Sequence, residues 1–147
     1  MREITTRVDI DASPAAVWRV LTDFAAYPEW NPFMTVEGHP RKGERLTVHL
    51  SPPGGRSVTF RPVVRRADGD ELRWEGRLFV PGLYDGTHRF ALTEHPDGTT
   101  TLVHDETFGG VLVGPINRRF GPAVERGFEE MNAALKARVE AQSEAVA

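Results

Sequence analysis

The sequence predicts an α+β fold in which a curved antiparallel sheet closes around one long C-terminal helix. Three observations carry this. From Phe120 onward, Phe120, Val124, Phe128, Met131, Leu135 and Val139 fall on one stripe of a 3.6-residue period, with Glu125, Arg126, Glu129, Glu130, Lys136 and Glu140 opposite. Pro122 to Gln142 would span roughly 30 Å, the width of a small domain, so the stripe needs a broad apolar partner. Before it, short segments alternate apolar and polar residues between turn signals, in runs that read as hairpins rather than as strand-helix-strand units.

The elements follow in order. Glu3 to Asp11 alternates, with Ile4, Val8 and Ile10 on one face, and is a half-buried strand. Ser13-Pro14 supplies an N-cap and a proline at the first helical position of a short helix carrying Val17, Trp18 and Leu21. Tyr27-Pro28 and Asn31-Pro32 push the residues before each proline out of the helical region, so Asp23 to Phe33 is a bent helical turn. Six strands are then expected: Met34–Gly38, Arg45–Ser51, Arg56–Ala67, Leu72–Leu78, Thr87–His95 and Thr100–Phe108, for seven in all. Pro62 lacks a ladder donor and marks an edge or bulge. Gly109 to Gly121, with Gly110, Gly114 and Pro115, reads as an apolar loop around Val111-Leu112-Val113. Pro115–Phe120 forms a helical turn there, and the long helix is kinked at Gly121-Pro122.

Composition narrows the function classes. A chain of 147 residues fits one domain with a sizeable core. With no cysteine, disulfides, thiolate metal sites and a cysteine nucleophile are excluded. The net charge of −3 and the dispersal of arginines among carboxylates argue against a nucleic-acid surface. No apolar run approaches the ~18 residues of a membrane span and no signal-type segment opens the chain, so a cytoplasmic protein without an integral membrane segment is expected.

Ile10-Asp11-Ala12-Ser13-Pro14-Ala15-Ala16-Val17-Trp18, Tyr27-Pro28-Glu29-Trp30-Asn31-Pro32-Phe33, Glu106-Thr107-Phe108 and Phe128-Glu129-Glu130-Met131-Asn132 together resemble the SRPBCC or START-like superfamily, which includes Bet v 1-like proteins. The branch they look most like is the polyketide cyclase/dehydrase-like group. The resemblance covers the full chain, residues 1–147, as a single ligand-binding domain. It implies a helix-grip: a seven-stranded antiparallel sheet wrapped around the C-terminal helix, two short helices after the first strand, and a cavity between sheet and helix. Fold alone does not assign a reaction, because the superfamily includes both carriers and aromatase/cyclases.

Within the strands, polar residues share the inward parity. His88 is in phase with Phe90 and Leu92, and His104 and Glu106 are in phase with Leu102 and Phe108. Buried groups of this kind need partners, at a cost of about 1–3 kcal/mol when unsatisfied. Either they line a cavity that takes a polar-headed ligand, or strand ends let them reach solvent, or His104 and Glu106 pair with each other's neighbours. A metal site of two histidines and a carboxylate is the weaker reading, because nothing fixes the three close together. No metal and no cofactor is expected.

Of the remaining candidates, Tyr27, Trp30, Asn31 and Phe33 sit where the family places a pocket wall or mouth. Asn31 otherwise caps a turn, and Trp74 otherwise belongs to the core. Gly76, on an inward position, leaves a bend or a hollow. Phe60, Phe90, Phe108, Leu112 and Phe128 complete the expected lining. The sequence thus points to a binder of a small hydrophobic or aromatic ligand, such as a polyketide, lipid or quinone, as monomer or homodimer. The competing reading is an aromatase/cyclase or dehydrase with His88, His104 or Glu106 as acid or base. A third reading is a protein-interaction module with a filled interior.

Overall fold

Alternation produces strands where it was expected, but the described residues hold eight of them in two antiparallel sheets, not seven in one. The computed structural model describes residues 2–78, 80 and 82–146. The larger sheet has the order β1-β8-β7-β6-β5, built from β1 (Glu3–Ile10), β5 (Val63–Ala67), β6 (Glu71–Leu78), β7 (Tyr84–Glu94) and β8 (Thr100–Gly109). The smaller is β2-β3-β4, with β2 (Met34–Glu37), β3 (Thr47–Leu50) and β4 (Val58–Phe60). The additional strand originates at Pro62. The expected strand from Arg56 to Ala67 divides there, because a proline cannot donate to a ladder, and the chain crosses from one sheet to the other.

Local signals account for the first helices. The Ser13 hydroxyl oxygen accepts the Ala16 N–H and Pro14 opens α1 (Pro14–Thr22). A 3-10 helix, Phe24–Glu29, follows and contains Pro28.

The C-terminal helix α2 runs from Val113 to Val146 without interruption. This corrects the expected loop at 109–121: the helix already begins at Val113, and Pro122 lies inside it. A proline deletes one helical donor, and packing on both sides can hold the helix together across that gap. Before it, Val113 is fully buried, and the Leu112 N–H donates to the Leu83 carbonyl at 2.9 Å. Beyond it, Phe128, Met131, Leu135 and Val139 are buried, and the helix packs on β1, α1 and β8. The stripe is wet at its start, contrary to expectation. Phe120 is 40% exposed and Val124 only partly buried, because this part of α2 faces the smaller sheet across a cleft. No helix of the described residues is long and apolar enough to cross a membrane.

The seat of α2 is set at Gly127. A Cβ built there would stand 2.3 Å from the Phe33 ring, which lies against the helix backbone. Alanine favours a helix over glycine by about 1 kcal/mol. Displacing a ring that is itself fully buried outweighs that gain, so Gly127→Ala is expected to lower stability by about 1–3 kcal/mol in a urea titration.

Candidate functional site

The antiparallel register places the polar inward residues side by side. His88 lies opposite Glu106 across β7 and β8, and Phe90 lies opposite His104. His88 and His104 meet through their Nε2 atoms at 2.7 Å, and both rings are buried. His88 Nδ1 points to Glu106 Oε1 at 3.6 Å. Gly86, two residues before His88, makes room for the carboxyl group: a Cβ there would sit 2.5 Å from Glu106 Oε2.

Hydrogen-bond direction fixes the tautomers. Thr6 donates its hydroxyl to the His104 carbonyl and accepts from Asn132 Nδ2, each at 2.8 Å. Asn132 therefore turns its Oδ1 toward His104 Nδ1, 2.8 Å away, and that nitrogen must be the donor. Burial, then the neighbouring His88, holds the His104 pKa well below the usual imidazole value, so the ring is neutral with its lone pair on Nε2. His88 must donate its Nε2–H to that lone pair. In its neutral form His88 then presents an unprotonated Nδ1 toward Glu106. Aromatic faces clamp the network: Phe128 stacks on His104 at 4.0 Å between ring centroids with 5° between planes, and Trp74 stacks on His88 at 5.1 Å.

A small hollow adjoins this network, and a larger cleft shares part of its wall. A hollow of about 30 Å³, room for about one water, is lined by Phe60, Trp74, Gly76, His88, Glu106 and Tyr84 among others. The Tyr84 hydroxyl donates to Asn117 Oδ1, and burial, with a smaller contribution from Glu106, raises its pKa above the ordinary phenol value. Leu50, Phe60 and Tyr84 also border a cleft of about 390 Å³ between β4, the end of β3 and the start of α2. Its walls include Val58, Ile116, Phe120 and Val124. That volume lies within the range of small-molecule sites.

Of the residues singled out from sequence, Phe60, Trp74, Gly76, His88 and Glu106 come together around the hollow. Gly76 does not open a deep bay, because a Cβ there meets Pro62 Cβ at 3.1 Å. His104 sits behind His88, walled in by Phe90 and Phe128. Phe33 packs edge-on to Phe128, Phe108 lies beside Tyr84, and Leu112 is partly buried at the entrance to α2. Tyr27 is fully buried, its hydroxyl donating to the Leu21 carbonyl. Asn31 Oδ1 accepts the Phe33 and Met34 N–H groups, the turn-capping arrangement. Trp30 borders a different cleft, beside Arg19, Asp23 and Arg138. No group of three His, Asp or Glu among the described residues is placed to hold a metal.

Tyr84, Asn117 and Asn132 were not among the sequence candidates. Tyr84 shares the parity of His88, and carrying the alternation back through Gly86 would have found it. Asn132 follows Phe128 by four residues, a polar residue next to the apolar stripe.

Comparison with solved structures places this arrangement in a populated fold. A Mesorhizobium loti protein is 23% identical, with 96% of this chain and 98% of that one covered and a TM-score of 0.71. A START superfamily protein from Mycobacterium smegmatis is 22% identical over 95% and 98%, with a TM-score of 0.73. The Zhui aromatase/cyclase of Streptomyces sp. R1128 is 17% identical over 95% and 93%, with a TM-score of 0.76. These likenesses bear on fold alone. Comparison with curated proteins finds no match. The family model described as polyketide cyclase/dehydrase and lipid transport matches residues 1–140, and the chain belongs to that family.

Proposed function

We propose that the protein binds a small, largely apolar molecule in the cleft between the smaller sheet and the start of α2, with a polar end toward Tyr84, His88 and Glu106. The observation that carries this is the cleft itself: about 390 Å³ walled mostly by apolar side chains, with Phe120 left half-exposed at its edge. An isolated exposed phenylalanine is ordinary, but one bordering a concave apolar wall next to a polar hollow fits ligand capture. The family description, which includes lipid transport, supports the same class of ligand.

The neutral dye Nile red tests the reading. It is expected to bind the wild type one-to-one, and Val58→Trp, which fills the cleft from β4, is expected to weaken binding at least tenfold with stability unchanged. Unaltered dye binding in Val58→Trp would remove the cleft from consideration.

Catalysis of cyclisation or dehydration is the second reading, and the geometry favours it: His88 and Glu106 both line the hollow, with His88 Nδ1 3.6 Å from Glu106 Oε1. A poly-β-ketone mimic incubated with wild type, His88→Gln, His104→Gln and Glu106→Gln across pH 5 to 9 separates the two. Retention without product is expected. Product that falls ~10²–10⁴-fold in one Gln variant would make catalysis the primary function.

A further inference from the structure

On the outer face of the larger sheet, the period-two alternation of neighbouring strands gathers two sets of arginines with different balances. In the first, Arg66, Arg73 and Arg89 face Asp68, Glu71 and Asp105, with Arg66–Asp68 at 2.6 Å, Arg73–Glu71 at 3.1 Å and Arg89–Asp105 at 2.5 Å. That set is neutralised within itself.

The second set is not. Arg61, Val63 and Arg65 alternate along the chain into β5, and Glu75 and Arg77 alternate on β6. Val63 pairs with Glu75 on one side and bridges Arg45 on the other. Arg45, Arg61, Arg65 and Arg77 therefore line one cleft of about 230 Å³, in which Glu75 is the one carboxylate. Arg65 meets Glu75 at 3.5 Å, and Arg45 is held by the Arg61 carbonyl at 2.6 Å. Asp85 lies opposite Arg77 in register, but its Oδ2 accepts the Gly82 N–H. Among the described residues no carboxylate lies within 4.0 Å of Arg61 or Arg77.

Four guanidinium groups against one carboxylate, concentrated in a concavity of a chain whose net charge is −3, form a local field opposite in sign to the whole molecule. Guanidinium forks match phosphate oxygens two at a time. We propose that this cleft is a second binding site, separate from the apolar cleft, for a multiply charged phosphate group, free or carried on a small molecule. A concave site of this volume suits a phosphate or diphosphate, and the negative charge of the rest of the surface disfavours an extended polyanion.

Calorimetric titration of the full chain with inorganic phosphate and inorganic pyrophosphate at low ionic strength tests this. Pyrophosphate is expected to bind one-to-one and more tightly than phosphate. The double variant Arg61→Gln/Arg77→Gln is expected to bind it at least tenfold more weakly. Arg7→Gln/Arg118→Gln, which removes the same charge from exposed positions elsewhere, is expected to stay within twofold. Nile red binding is expected to be the same in wild type, Arg61→Gln and the control pair, so failure of this site and failure of the apolar cleft are read separately; Arg77 also lines the hollow beside His88 and Glu106 and is left out of that comparison. All the substituted arginines are exposed, and each single variant repeats the test should a double variant fold poorly. Equal pyrophosphate affinity in wild type and Arg61→Gln/Arg77→Gln overturns the proposal, as does an equal loss in the control pair. Binding of RNA through Arg61 and Arg77 without binding of pyrophosphate also overturns it.

Discussion

Phe128→Ala is expected to lower the unfolding free energy by about 3–5 kcal/mol, the range for removing a buried ring that the surroundings cannot collapse upon. Phe128 is fully buried and meets rigid partners on several sides: it stacks on His104, packs edge-on to Phe33 at 5.6 Å and borders His88 at 5.0 Å. Those partners are held by other bonds, Phe33 by its fit over Gly127 and His104 by Asn132 and His88. They cannot swing into the space. The new cavity would also adjoin the histidine pair and admit water to it. Urea denaturation with an unchanged m-value measures the effect, and a loss below about 1 kcal/mol would contradict the central seat assigned to α2.

The second large effect is on pH dependence. His104 is fully buried, and that burial, then the neighbouring His88, holds its folded pKa well below the ordinary imidazole value of about 6.5. Below that value the unfolded chain takes up a proton that the folded chain refuses, so the unfolded state binds more protons and stability rises with pH. The contribution is therefore complete above about pH 6.5 and is lost as pH falls toward the folded pKa. The slope approaches at most about 1.4 kcal/mol per pH unit within that window. Asp68, held at about 2 by Arg66 and the turn N–H groups, loses its own contribution only below the ordinary carboxylate range, so it does not mask this window. Unfolding curves from pH 8 to 5 should show the slope in wild type and not in His104→Gln. Parallel curves for the two would refute the assignment of a buried neutral imidazole.

Much of the fold was legible because its determinants are local. The apolar stripe of α2, the Ser13-Pro14 start of α1 and the alternation of β1, β7 and β8 each follow from periodicity and capping within a few residues. The boundaries that failed are places where distant packing overrode a local signal. Gly114, Pro115 and Pro122 read as breakers, yet the helix runs from Val113, since one missing donor weighs less than the burial of Val113 and Phe128 on either side. Phe120 read as core by its period and is half-exposed, because periodicity says which residues share a face and not what lies opposite each turn.

The site divides along the same line. Sequence by itself determined the class of fold and the polar character of one interior face, because inward parity is fixed by the two-residue repeat: His88, His104 and Glu106 had to share it. Only the tertiary structure decided that His88 and His104 bond to each other and that Asn132 orients the pair. It also put an open volume beside Tyr84 and Phe120. Those outcomes depend on strand register and on where α2 leaves the sheet. Both are set by side chains far apart in the chain meeting across it, as Phe33 does with Gly127 and Thr6 with Asn132.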